Sequence, residues 1–214
     1  MERFILNYRK KIIGFMVFGL VFAFCFGPLY QISIAQETES DDVVVTATVQ
    51  AWLNFAIDDL APTLTPDLVA SDGSTAIGTA SSTLTLGTNS SDGWHIQVQG
   101  INDGLLHTDV GNTHNISTVT GRSELIAGTD GYGITIEDLN ALGGPTLNVL
   151  TNYVDSGNFV GEVPSTSPVQ VVNYDDPHAN ADVANLNIRA AALSTTPSGD
   201  YSDTITITAT TGQI

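Results

Sequence analysis

The sequence predicts an all-β fold, an antiparallel β-sandwich with at most one short helix, behind an N-terminal signal helix. Three observations predict it. Apolar residues recur at every second position in several stretches, those stretches are rich in Val, Ile and Thr, and Asp-Gly dipeptides separate them. Alternate side chains of a strand point to opposite faces, so a period of two marks a strand with one buried face. Many short strands joined by Gly-rich turns pack as two sheets, here of the immunoglobulin-like or jelly-roll-like kind.

The first 35 residues stand apart from this pattern. Arg3, Arg9, Lys10 and Lys11 precede an uncharged apolar run from Ile12 to Tyr30, and Ser33-Ile34-Ala35 places small residues at the −3 and −1 positions of a cleavage site. A positive, then apolar, then small-residue order is that of a secretory signal peptide, with Gln36 as the new N-terminus. The expected localisation is therefore secreted or at the cell surface. Two alternatives stay open. Residues 12–30 are about long enough to span a bilayer as an uncleaved anchor. Cys25 could carry a lipid, although Phe22-Ala23-Phe24 before it is bulky for such a site. Residues 36–42 (Gln-Glu-Thr-Glu-Ser-Asp-Asp) read as a flexible acidic leader, and 43–214 as a single sandwich domain.

The strands follow in order. From Val43 to Ile57 the odd positions are Val43, Val45, Ala47, Val49, Ala51, Leu53, Phe55 and Ile57, a long strand or two strands with a bend. Ser82–Leu86 is short and Thr-rich. In Gly93–Gln99, Trp94, Ile96 and Val98 share one face and His95, Gln97 and Gln99 the other. Tyr132, Ile134 and Ile136 alternate, Val169–Tyr174 is β-branched, and Ala184, Leu186, Ile188, Ala190 and Ala192 face inward opposite Asn185, Asn187 and Arg189. Tyr201, Asp203, Ile205, Ile207 and Ala209 alternate with Ser and Thr. Turns are expected at Asp72-Gly73, Asp92-Gly93, Asp103-Gly104 and Asp130-Gly131. Thr196-Pro197-Ser198-Gly199 reads as the turn of a C-terminal antiparallel hairpin. The short helix is expected over Ile136–Leu142, stopped by Gly143.

Charge narrows the partners. Cleavage after Ala35 removes both Lys and leaves Arg122 and Arg189 against 22 acidic residues, a net charge of −20. Such a surface repels phosphate backbones, so no nucleic-acid partner is expected. It also avoids anionic membranes, leaving the N-terminal segment as the one route to a membrane. Cleavage also removes Cys25, the only cysteine, so disulfides cannot hold the domain although it reaches a compartment that permits them.

No catalytic constellation stands out, and no catalytic, cofactor or metal residue is assigned. His95, His107, His114 and His178 form no His-Glu-x-x-His pattern, and thiolate zinc sites need cysteines the exported domain lacks. His107 and His114 read as solvated loop residues. Asp58-Asp59 is a carboxylate pair of the kind that can flank a glycosidic bond, but acidic pairs in an acidic chain are mostly solvated turns. Asp176-x-His178-x-Asn180-x-Asp182 offers alternating ligands for calcium, which takes six to eight oxygens. Ala181 stands where a calcium loop needs Gly, and the competing reading is a polar inter-strand loop. Trp94 is expected in the core. Trp52 lies on the outward face, where an aromatic ring can stack on sugar. Asn89-Ser90-Ser91 and Asn115-Ile116-Ser117 match the N-glycosylation pattern.

The run Thr196–Thr210 (TPSGDYSDTITITAT) resembles the closing hairpin of secreted bacterial β-sandwich proteins, among them the spore coat U-like pilus subunits and the Trp-x-Leu (WxL) surface domains. Gly93-Trp94-His95-Ile96-Gln97-Val98 is similar to the Trp-x-Leu strand with Ile in place of Leu, and the second motif near the C-terminus is missing. The resemblance implies surface display, wall association or filament assembly. The function expected is thus a non-enzymatic structural or adhesive surface protein, with cell-wall glycan or further copies of itself as partner. The alternatives are a carbohydrate- or cell-wall-binding module, and a secreted hydrolase with an unrecognised site.

Overall fold

The structure, a computed structural model, describes residues 46–140 and 146–212. The signal peptide, the acidic leader, Val43–Val45 and the expected helix stop at Gly143 lie outside the described residues. Strands β1 to β13 are Leu53–Ile57, Ile77–Thr88, Trp94–Gly100, Gly104–His107, Asn115–Ser117, Arg122–Glu124, Gly131–Asp138, Asn148–Val149, Phe159–Gly161, Val169–Tyr174, His178–Ala191, Tyr201–Ser202 and Ile205–Thr211. A 3-10 turn, Thr151–Tyr153, is the one helical element among the described residues.

The sequence periodicity becomes sheet geometry directly. Six strands form one sheet in the order β1-β2-β11-β7-β9-β6, four form a second in the order β13-β3-β10-β8, and β12-β4-β5 form a small third sheet. The named strand pairings are antiparallel. In the large sheet Leu84 faces Ala184 across the β2–β11 ladder, and Leu186 faces Ile136 across β11–β7. These side chains meet Trp94, Ile96, Val98 and Val172 of the second sheet in one buried cluster. The two sheets therefore make the antiparallel sandwich that the alternation predicts.

The outward faces carry the polar half of the pattern. Thr83 stands beside Asn185, and Asn185 beside Glu137. Thr208 stands beside Gln97, and Gln97 beside Gln170. His95 shares this outward face but is buried, because its Nδ1 lies 2.6 Å from the carbonyl of Gly212 in the C-terminal turn.

Four expectations are corrected. The strand expected over Val43–Ile57 is Leu53–Ile57 among the described residues, and residues 46–52 have no regular structure and are exposed. Ser82–Leu86 is part of a twelve-residue strand, β2, whose first half has Ile77 as its one large apolar residue and so gave no periodic signal. Ile136–Asp138 continues β7, held by the ladder to β11, so the expected helix does not begin there. The C-terminal hairpin does not form. β11 lies in the six-stranded sheet and β13 pairs with β3 in the other, so the Thr196–Gly199 turn carries the chain from one sheet to the next. Three of the four Asp-Gly turns place Gly at positive φ, and Asp130-Gly131 does not. Gly93 is the most constrained of these: at φ 65° it is packed so closely on the Tyr174 carbonyl that a Cβ would overlap it.

The fully buried Leu84 and the 83% exposed Leu60 give a direct test of where the core lies. Leu84→Ala is expected to lower the unfolding free energy by about 2–5 kcal/mol in urea titration. Leu60→Ala is expected to change it by less than about 0.5 kcal/mol.

Candidate functional site

The best-formed polar cluster lies at the start of β11, where calcium was one expectation. Across the β2 ladder His178 pairs with Thr88 and Asp182 with Leu86, so β11 carries two extra residues there. Asp182 follows this bulge and shares the inward face of β11 with Ala184 and Leu186, so its side chain points into the sandwich, where it is fully buried. Its Oδ2 accepts the Trp94 indole N–H at 2.9 Å and its Oδ1 lies 2.6 Å from His178 Nδ1. Tyr174 stands edge-on to His178, 6.1 Å between ring centres, and tilted against Trp94. Burial pushes the Asp182 carboxyl above the ordinary carboxylate range, opposed by the Trp94 hydrogen bond and by His178. Oδ2 is thus engaged by a protein donor and Oδ1 lies at ion-pair distance from His178, while Asp176 and Asn180 are exposed. The four alternating residues do not converge on one point. Among the described residues no group of three or more His, Cys, Asp or Glu is placed to hold a metal ion.

A second cluster corrects the solvated-histidine expectation. His107 ends β4 and is buried. It accepts the Asp109 N–H at Nδ1 and meets the Ser198 carbonyl through Nε2 at 3.0 Å, which fixes the ring proton on Nε2. Its ring stands edge-on to Tyr201 at 4.9 Å. His114 packs edge-on against the same tyrosine, with Nε2 3.6 Å from Asp130. Asp130 in turn accepts from Leu193 N–H and the Thr196 hydroxyl, closing the crossing between the two sheets. Sequence spacing gave no sign of this, because Tyr201 is brought in by the sheet pairing of β12 with β4.

The remaining candidates separate. Asp58 accepts the Thr83 N–H at 2.6 Å, which holds its carboxyl below the ordinary range, and Asp59 accepts the Ala61 N–H. Each carboxylate of the pair therefore accepts a backbone N–H. Trp94 is fully buried as expected, and Trp52 is 42% exposed on the segment before β1. Asn115 lies in β5 with its amide donating to the Asp103 carbonyl. Asn89 is engaged with Gln50 and Trp52.

The sheet edges form the remaining site. A bare edge offers unpaired N–H and C=O groups to any other strand, and proteins blunt such edges with charge, Pro or short strands. On one side the edges are blunted. β6 is the three-residue Arg122-Ser123-Glu124, with Arg122 stacked on Phe159 at 4.9 Å, and β8 has two residues. On the other side β1 and β13 are five and seven residues long, lie in contact, and carry no charged residue or Pro. Their inward residues Leu53, Phe55, Ile57, Ile205, Ile207 and Ala209 are only half-buried. Together they form an apolar seam at the open side of the sandwich. Among the described residues no helix is long and apolar enough to cross a membrane. The sequence matches no protein-family model and no curated protein.

The buried Asp182 predicts a pH dependence of stability. A carboxyl whose folded pKa is raised contributes stability that is complete below its ordinary value and is lost as pH rises through the folded value. Wild-type stability is therefore expected to fall as pH rises from the ordinary carboxylate range through the raised value of Asp182, and Asp182→Asn to flatten that slope. Chemical denaturation across this range measures both.

Proposed function

We propose that this chain is a non-enzymatic structural or adhesive protein of the cell surface, whose copies associate by adding a strand at the β1/β13 edge. The observation that carries the reading is a match between two parts of the same chain. The segment before β1 alternates Ala47, Val49 and Ala51 with polar residues, yet it is exposed and unpaired, Val49 by 82%. The uncharged edges of β1 and β13 leave a seam of half-buried apolar residues. An alternating strand laid on an open edge gains main-chain hydrogen bonds and buries every second side chain. The N-terminal charge order, as read in the sequence, supports export. The resemblance of Thr196–Thr210 to secreted surface sandwiches supports the same class.

A carbohydrate- or wall-binding module is the second reading, favoured by the half-exposed Trp52 ring. It predicts retention on peptidoglycan or a glycan array that Trp52→Ala abolishes.

Assembly is read by sedimentation velocity and by electron microscopy of concentrated protein. Val49→Asp changes a residue that is solvent-exposed in the single subunit. It is expected to leave the unfolding temperature unchanged and to abolish self-association. Wild-type protein that stays strictly monomeric at high concentration, with and without calcium, would rule strand addition out.

A further inference from the structure

Although the segment before β1 has no regular structure, it is tethered just outside the ladder. The β1–β2 ladder ends at Leu53 opposite Thr88. Beyond that point two side chains continue it. The Thr88 hydroxyl donates to the Trp52 carbonyl at 2.6 Å and accepts from Ser90 N–H at 3.0 Å. Asn89 then uses both ends of its amide. Its Oδ1 accepts the Trp52 N–H at 2.8 Å, and its Nδ2 donates to the Gln50 carbonyl at 3.0 Å. These two backbone groups flank Ala51, and they are the groups that the two residues flanking an antiparallel neighbour of Ala51 would bond. A carboxylate has no N–H to give Gln50, and Ser or Thr has a single donor–acceptor oxygen, so the side-chain amide suits both partners at once.

The tether has a geometric consequence. With the N–H of Trp52, and the carbonyls of Gln50 and Trp52, turned toward β2, the backbone groups of Ala51 and Leu53 are directed to the opposite edge. We propose that Asn89 is a positioning residue that carries the edge of β1 onto the N-terminal segment, so that this segment leaves the domain in one direction with its outer edge free. The use of that edge in assembly rests on the reading above, whereas the tether itself does not. An ordered donor loses less conformational freedom on association than a loose one, so the tether favours binding without touching the partner.

Amide hydrogen exchange on the exported chain separates these points. In Asn89→Ala the backbone amide of Trp52 is expected to exchange about tenfold faster, as for the loss of one hydrogen-bonded constraint. The amide of Trp94, whose fully buried side chain opens β3, and the unfolding temperature are expected to stay unchanged. Asn89→Asp keeps the acceptor for Trp52 and loses the donor to Gln50, so its Trp52 exchange falls between the two. Self-association of Asn89→Ala is expected to weaken by about tenfold through the lost pre-ordering. Equal Trp52 exchange in all three proteins overturns the proposal, as does a rise that Trp94 shares. A wild type that never associates, but whose Trp52 protection is lost in the variants, sustains the tether and removes strand addition alone.

Discussion

The hydrogen bond from Trp94 to Asp182 is the constraint around which one end of the sandwich is organised. It joins β3 of the four-stranded sheet to β11 of the six-stranded sheet. A buried indole N–H without an acceptor costs about 1–3 kcal/mol, and a buried carboxylate without donors costs several kcal/mol. Neither group is tolerable here alone. Satisfying both requires the carboxyl to point inward, which the alternation of β11 provides by placing Asp182 on the face of Ala184 and Leu186, directly after a two-residue bulge. The same bulge brings His178 onto the second oxygen and Tyr174 onto His178. The cluster that most resembles an active centre is therefore explained as the closure of one buried carboxylate.

Acidity elsewhere has a related structural use. The domain has no disulfide, and many of its turns are closed by carboxylates that accept backbone N–H groups. Asp72 accepts from Ser74, Asp138 from Asn140 and Leu147, and Asp203 from Asn102 and Thr204. Each such bond satisfies a loop donor that would otherwise rely on water. The two arginines do not balance this charge. Arg189 pairs with Asp155 at 2.8 Å on the outer face of the large sheet, and such part-exposed pairs contribute about 1 kcal/mol or less. The strands stay nearly free of acid and the turns collect it, so the sheet surfaces are polar but uncharged over much of their area.

Periodicity made the sandwich legible, because period two reports the face a side chain occupies once it is in a strand. β10 matches its expected range, Val169–Tyr174, and Trp94, Ile134 and Leu186 are buried as their alternation requires. Periodicity does not report which strand lies next door. Thr196–Gly199 has the composition of a hairpin turn, but whether the chain folds back in the same sheet or crosses to the other is decided by what β3 and β7 offer as partners. His107 and His114 were misjudged for the same reason, since Tyr201 and Ser198 are near them only after that crossing. The buried state of Asp182 was equally hidden: alternating oxygen ligands look alike whether they surround an ion or, as here, divide between a buried Asp182 and exposed Asp176 and Asn180. Trp52 is exposed as expected, but so are Val49 and Ala51 of the opposite parity, because the segment has no partner strand.

The stretch from residue 46 to residue 52 shows where that parity stops being informative. Its alternation equals that of β1, yet β1 has β2 beside it and this stretch runs past the end of β2. Alternation measures a capacity to be half-buried, and the partner decides whether the capacity is used. For a second copy to supply the partner, two domains must approach whose residues 43–214 each carry 18 acidic residues against two arginines, a charge of −16. Repulsion between exposed charges extends over about 8 Å at physiological salt, so the least opposed approach is along a surface whose own residues are neutral. β1 and β13 provide such a surface, whereas β6 brings a glutamate and an arginine to its edge. Charge and edge chemistry thus favour the same side of the sandwich, the one from which the N-terminal segment departs.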